Sequence, residues 1–496
     1  MKKFLALAMA LILALVTLAG CGGNEIIASL DPTEAPETNT EAPAIRPTEA
    51  HETNTEAPAV KPGANADAGD LISHFAVAKP AKAEYPVNPS AAADEGGDVN
   101  WDDYETLYEK WQEAKNSCRD KIGKTPDMNS FLLSLTAQLM KMKAGENVAF
   151  SPANVYIALA MLAETTDGNT RAEILNVLGS PDIETLRSQT AALLSAESWD
   201  DGVQKTALAN SIWMNKDIVY NADTLGVLAD IYGAASFSGD MSQEEYSQAL
   251  CAWLDENTGG LLKDAIDGTH FDPDTIMAIA STIYFKDAWE HKFNKDMTEK
   301  DIFHALSGDI ECDFMHGTLR TECFDGDNFI AMRETLESGA CVYMLLPDEG
   351  VTVDEMIAGG ALDSFGHPGA VIGEGWSKLD VKLSVPKLDI STKAELKEAL
   401  AAMGIRDCFN MYKADFTPLT DLPNVYVDEV THAARIKTDE DGVEAAAYTL
   451  IMAKAGGAFT EFDSIELNFN RPFALVVTGS TFAPLFVGVV NTPTDR

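Results

Sequence analysis

Basic residues are scarce. The 496 residues hold 36 Lys and Arg against 78 Asp and Glu, and the resulting net charge of −42 at pH 7 repels nucleic-acid phosphates and anionic membrane surfaces. Nucleic acid is excluded as a partner on that ground. Cysteine and histidine are thin as well, at seven and eight residues. Cys118, Cys251, Cys312, Cys323, Cys341 and Cys408 form no CxxC pair and have no histidine at ligand spacing, so neither a zinc site nor a dense disulfide framework is indicated. The expectation is thiols that are mostly free and buried, with no metal and no cofactor. Neither GxSxG nor HExxH occurs, so the chain is expected not to be an enzyme. Beyond the first twenty residues no apolar run is long enough to cross a bilayer.

The amino terminus is the apolar exception. Lys2 and Lys3 precede a run over residues 4–18 that only Thr17 interrupts, and Ala19 and Gly20 then lead to Cys21, which is the pattern of a secretory signal at 1–20. Leu18-Ala19-Gly20-Cys21 resembles the bacterial lipobox, which implies a lipid on Cys21 and a secreted, cell-surface lipoprotein. The alternative is an ordinary signal peptide followed by an unrelated cysteine. Acyl chains contribute about 0.8 kcal/mol per buried CH₂, so the lipid would hold the protein to a membrane without a spanning helix.

Residues 32–46 read PTEAPETNTEAPAIR and residues 47–61 read PTEAHETNTEAPAVK, a tandem repeat too polar to offset its own ordering entropy. Residues 21–100 are therefore read as a disordered tether. At a rise of about 3.1 Å per residue it reaches on the order of 100 Å or more. A mucin-like or adhesive stalk is the alternative reading. Trp101, Tyr104, Tyr108 and Trp111 fall at helical spacing, which predicts a helical extension over 101–128 with its aromatic face packed.

From Asn129 the pattern is that of one α+β domain. Phe131, Leu132, Leu135, Leu139 and Met142 make one helical face. Ser151 and Pro152 supply an N-cap and a proline at the first helical position, with Val155, Leu159 and Leu162 inward. Leu379, Val381, Leu383 and Val385 alternate as a strand closed by Pro386. Thr392 and Glu395 predict a capping box for a helix with Leu396, Leu400 and Met403 that ends at Gly404. Two strands, about 473–477 and 485–490, close the chain around a turn at Gly479-Ser480.

Several segments, in order, resemble the serpin family. They are Asn147 to Pro152 followed by Gly168-Asn169-Thr170; Thr282 to Lys286 leading to Trp289; residues 388–416 with Met403-Gly404-Ile405 and Ala414-Asp415-Phe416; and Phe469 to Phe473 with Leu485 to Gly488. Ala474 departs from the family's larger apolar residue. The resemblance covers 129–496. It implies a serpin fold of about nine helices on three β-sheets with an exposed reactive-centre loop, and a monomeric inhibitor whose partners are serine proteases held as a covalent acyl complex. It also implies a sheet-opening cluster of Ser151, Asn154, Ser281 and His432, and a tryptophan, Trp289, at the top of the large sheet. The family's serine and asparagine stand exchanged here, as Asn154 and Ser281, which preserves the donor and acceptor inventory around His432.

Residues 437–456 read KTDEDGVEAAAYTLIMAKAG. In an inserted strand alternate side chains face opposite ways. One phase, Val443, Ala445, Ala447, Thr449, Ile451, Ala453 and Ala455, is small or apolar, and the other, Glu444, Ala446, Tyr448, Leu450, Met452, Lys454 and Gly456, holds every charge. By resemblance, residues 442–449 form the hinge, with Gly442 giving the freedom to turn in. The hinge count puts the scissile bond after Gly456, and counting back from Pro472-Phe473 puts it after Glu461. With the hinge count, Ala455, Gly456, Gly457 and Ala458 offer only small side chains, suited to an elastase-like or subtilisin-like pocket. Asp439, Asp441 and Gly442 resemble the start of a calcium loop, but Lys437 and Tyr448 sit at its first and twelfth ligand positions. A non-inhibitory serpin and a surface adhesin are the rival functions.

Overall fold

The molecule, described as a computed structural model, comprises residues 68–80, 83–89, 100–367, 375–443 and 463–494. Ser151 caps the helix Pro152–Glu164 by accepting from the Asn154 backbone N–H, and Pro152 sits where no intrahelical donor is required. This helix is buried on nearly every side, because it runs between the two sheets and the surrounding helices. The helix Asn129–Met142 buries Phe131, Leu132, Leu135 and Leu139 as the spacing predicts, while Met142 at its end is exposed.

The first sheet runs in the order Ala76–Ala78, Ala234–Gly239, Lys205–Asn215, Met277–Ala288, Gly442–Val443, Thr431–Thr438, Leu388–Glu395. Its middle is the strand Met277–Ala288, which contains the predicted segment from Thr282. The second sheet runs Ser464–Asn468, Trp376–Pro386, Gly308–Asp325, Phe329–Thr335, Cys341–Pro347, Phe473–Thr478, Pro484–Val490, Val148–Phe150. Three separate sheets were expected, and hydrogen bonding joins the strands into two. The reason is the long strand Gly308–Asp325, whose first part pairs with Glu299–Ala305 and whose last residues pair with Phe329–Thr335. Eleven α-helices occur among the described residues, and two of them precede residue 126, which leaves the nine expected for the domain.

Two further expectations are corrected. Residues 68–78 were assigned to the tether, yet Ala68–Phe75 is a helix and Ala76–Ala78 a strand, antiparallel to Ala234–Gly239. Ile72 supplies the anchor, buried in a second apolar cluster with Trp213, Phe237, Tyr246 and Trp253. The capping box at Thr392 is absent as well. Thr392 lies within the strand Leu388–Glu395, where its hydroxyl accepts from the Ala149 N–H at 2.8 Å, and the helix Lys397–Met403 begins without a side-chain cap.

Candidate functional site

The site is the seam in the first sheet between the central strand Met277–Ala288 and its neighbour Thr431–Thr438. At its top the seam is filled by two residues. Gly442 pairs with Ala288, and Val443 pairs with Asp287 on one side and Thr438 on the other. A Cβ on Gly442 would stand 2.1 Å from the Asp287 carbonyl oxygen, so glycine is required here for close backbone approach. Below this contact the strand pairing among the described residues turns outward on both sides. The central strand bonds through Met277 to Lys286 with Lys205–Asn215, and Thr431–Thr438 bonds with Leu388–Glu395. No ladder among the described residues joins the two across the seam.

Trp289 caps the top. Its indole N–H donates to the Asp439 carbonyl at 2.8 Å, its backbone N–H donates to Asp441 at 3.1 Å, and its side chain is buried. The acidic turn 439–441 is claimed by the protein's own groups. Lys295 pairs with Asp441 at 2.6 Å, while Glu440 takes Lys387 at 2.6 Å and the Thr298 hydroxyl at 2.7 Å. Burial raises the Glu440 pKa, but these two partners outweigh it and leave the carboxyl below its ordinary value.

Lower down, the structure brings Ser151, Asn154, Ser281 and His432 together. The Asn154 side-chain amide donates to the Ser281 hydroxyl at 2.8 Å, and the Ser151 hydroxyl accepts from the Asn154 N–H at 3.1 Å. His432 joins through Ser151, whose backbone N–H donates to Nε2 at 3.1 Å. That bond requires an unprotonated Nε2, and burial pushes the His432 pKa down to about 4. The start of the capped helix thus bridges the two strands, reaching the central strand through the Asn154 side chain and His432 of the neighbouring strand through the Ser151 backbone N–H. Of the remaining predicted residues, the hinge from Glu444 through Ala445, Ala446, Ala447 and Tyr448 to Thr449, the scissile region Ala455, Gly456, Gly457 and Ala458, and Cys21 lie outside the described residues.

Sequence reasoning missed a group of residues at the top of the sheet. The extension helix Trp101–Arg119 forms as expected, but Trp101 and Tyr108 are exposed. Of the expected aromatic face Trp111 makes the contact, joined by Lys115 and Cys118, which the spacing did not single out. Trp111 and Trp199 both donate to the Asp201 carboxylate, at 2.8 and 3.0 Å. Asp287 is buried as well, accepting from the Ala288 and Ser338 N–H groups at 2.9 and 3.3 Å. The six downstream cysteines are free, four of them buried and Cys251 and Cys312 half-buried.

A large sheet whose central strand and its neighbour share no ladder among the described residues, with Gly442 and Val443 seated between their upper ends, a helix packed on it and a second sheet behind, is the architecture of a serpin. The sequence comparisons agree. Residues 126–493 match the family described as Serpin (serine protease inhibitor), and the chain belongs to that family. It is 27% identical to Serpin-ZX of Arabidopsis thaliana over 70% of this chain and 92% of that one. It is likewise 27% identical to an uncharacterized serpin-like protein of Thermococcus kodakarensis, over 76% and 88%. Among solved structures, the native state of the thermophilic serpin tengpin superposes with a TM-score of 0.65 at 26% identity, covering 74% of this chain and 93% of that one. Arabidopsis AtSerpin1 in its native stressed conformation gives a TM-score of 0.64 at 26% identity, covering 76% and 98%. Members of the family are in general protease inhibitors rather than enzymes, and their general targets are serine proteases.

Proposed function

We propose that this chain is a secreted, membrane-tethered suicide inhibitor of a serine protease with a shallow specificity pocket, of elastase or subtilisin type. The observation that carries the reading is the seam: Gly442 and Val443 already occupy the first two positions of a strand whose remaining slot lies between two strands not laddered to each other. In the proposed sequence the protease serine attacks a loop carbonyl within 455–461. The scissile C–N bond breaks, the new amino terminus leaves with the proton delivered by the protease histidine, and an ester joins loop to protease. The freed segment then continues the strand that Val443 begins. About fourteen residues at about 3.3 Å each span roughly 45 Å, enough to carry the bound protease from one pole to the other. There the protease loses the oxyanion-hole geometry needed for hydrolysis of the ester. The small residues of the phase holding Val443, Ala445 and Ala447 suit the buried side of such a strand.

The uninserted fold must therefore be kinetically trapped. Lipid on Cys21 and the repeat tether would place the inhibitor at a cell surface. The direct test is mass spectrometry of the covalent complex and of the released C-terminal peptide after mixing with a panel of serine proteases. A peptide starting at Gly457 supports the hinge count, and a peptide starting at Phe462 replaces it with the count from Pro472. Cleavage of the loop by every protease without any complex would leave a non-inhibitory serpin. Protease-independent binding to a host ligand that survives removal of 437–461 would favour the adhesin.

A further inference from the structure

Residues 289–293 grip the turn that leads into the hinge. The Trp289 indole N–H donates to the Asp439 carbonyl, the Trp289 backbone N–H to that of Asp441, and the Phe293 N–H to that of Glu440 at 3.1 Å. Such a grip is only as firm as the segment that makes it. Its near end is tied to the second sheet by backbone, since the Glu290 N–H donates to the Thr335 carbonyl at 3.0 Å and Trp289 bridges to Leu336. Its middle is tied by a side chain. His291 Nδ1 stands 3.3 Å from Oε1 of Glu334, and the His291 backbone N–H bonds the same carboxyl. Glu334 lies opposite Val342 on the strand Phe329–Thr335 and is 3% exposed, whereas more than half of the His291 side chain meets solvent.

A carboxyl buried among strands is costly unless its hydrogen bonds are made, and here they are made to the gripping segment. We propose that Glu334 and His291 are positioning residues for the hinge: together they latch residues 289–293 onto the second sheet, and so hold the turn 439–441 and the seated Val443 in place for insertion of the cleaved loop. The proposal rests on the inhibitory reading above. It makes the latch proton-dependent. Burial raises the Glu334 pKa to about 8, with Glu290 adding to the rise and the His291 N–H opposing it. Below that value the carboxyl keeps its proton and can donate to Nδ1. Above it a buried negative charge faces an imidazole, which carries no charge in alkaline solution. The other charged and titratable groups around the pair are Glu290 and Lys292 on the same segment, Glu337 at the next turn, Arg333 beside Glu334 but engaged by Glu322, and Cys341 on the adjoining strand. With a raised pKa, the contribution of Glu334 to stability is full below the ordinary glutamate value and is lost as pH rises toward about 8.

The test measures the stoichiometry of inhibition of an elastase and of a subtilisin by the full chain, by Glu334→Gln and by His291→Ala, at about pH 7 and about pH 9. Comparing each variant with wild type at the same pH cancels the protease's own pH dependence, and Asp287 and His432 titrate in all three proteins. The amide of Glu334→Gln can keep the contact to Nδ1 without ionising. Wild type should therefore need several-fold more inhibitor per protease than Glu334→Gln at the higher pH and match it at the lower. His291→Ala, which leaves the carboxyl without its ring partner, should be poorer than wild type at the lower pH as well. No advantage of Glu334→Gln at the higher pH, or a His291→Ala variant that matches wild type at the lower, overturns the latch while leaving inhibition intact. Failure of the wild type itself to form a complex with either protease overturns the parent reading. Thermal unfolding supplies a readout independent of the protease: between about pH 5 and 8 the melting temperature of wild type should fall more than that of Glu334→Gln, and equal slopes also overturn the proposal.

Discussion

The central strand has two edges, and they are built differently. Along one edge, residues Met277 to Lys286 pair one for one with Met214 to Lys205 in an antiparallel ladder. Along the other, only Asp287 and Ala288 are paired among the described residues, and the link to the neighbouring strand is made by Trp289 above and, below, by the Asn154–Ser281 bond and the bond from the Ser151 backbone N–H to His432. A backbone ladder separates only when many hydrogen bonds break together. A seam held by a few side-chain bonds, each worth about 0.5–1.5 kcal/mol net, opens at far lower cost. One edge is thus fixed by its backbone, and the other is the one at which the proposed mechanism adds a strand.

The difference is most sharply broken by preventing the second edge from ever acquiring its strand. Ala447→Arg places a charge on the phase that the proposed insertion would bury, at a cost of several kcal/mol for an unpaired buried ion. The variant should be cleaved as a substrate, with the covalent complex lost on a denaturing gel. Retained inhibition would show that the phase assignment is wrong.

A smaller effect is expected where the strand begins. Gly442→Ala drives a methyl group into the Asp287 carbonyl, so the backbone at the top of the seam must shift, at roughly 1–3 kcal/mol. Slower complex formation with unchanged loop cleavage should result. Stopped-flow measurement of the two rates separates them.

The side-chain link can be sharpened by exchange. Asn154→Ser and Ser281→Asn each disturb the amide and hydroxyl balance of the 2.8 Å bond, and the double change restores it. Thermal unfolding of the four variants should give a coupling of about 0.5–3 kcal/mol. Zero coupling would mean that this bond does not hold the seam.

The smallest effect is a slope in stability with pH. The His432 pKa falls from 6.5 to about 4 on folding, so its contribution is present above the unfolded value and is lost as pH falls through the folded one. Asp287 acts in the opposite sense, because its raised pKa gives stability that is full below the ordinary carboxylate value and is lost as pH rises toward about 7. Between about pH 4 and 6.5 the two oppose one another. His432→Gln leaves only the second, so its melting temperature should fall with rising pH across that window more steeply than that of the wild type.

Much of the permanent edge and of the seam was legible in the sequence. Ser151-Pro152 announces its helix by local chemistry alone, and the seam residues could be paired because the family resemblance aligned distant segments. What escaped has a common cause. Lys115 and Asp287 lie far apart in the chain and form no periodic pattern, so nothing local marks either as buried. Thr392 followed by Glu395 fits a capping box, and only the tertiary approach of Ala149 gives its hydroxyl another partner. Residues 68–78 hold only a short apolar run, Leu71, Ile72, Phe75 and Val77, after a long polar repeat, and their folding depends on an apolar cluster supplied by Trp213, Phe237 and Tyr246.

The central claim is that the open edge is waiting for the loop, and the melting temperature before and after loop cleavage tests it most directly. Limited proteolysis within 455–461, followed by calorimetry of the cleaved but still associated chain, should show a large rise, since the inserted strand would give the central strand a second full ladder. An unchanged or lower melting temperature after a single cut in that region would contradict the account.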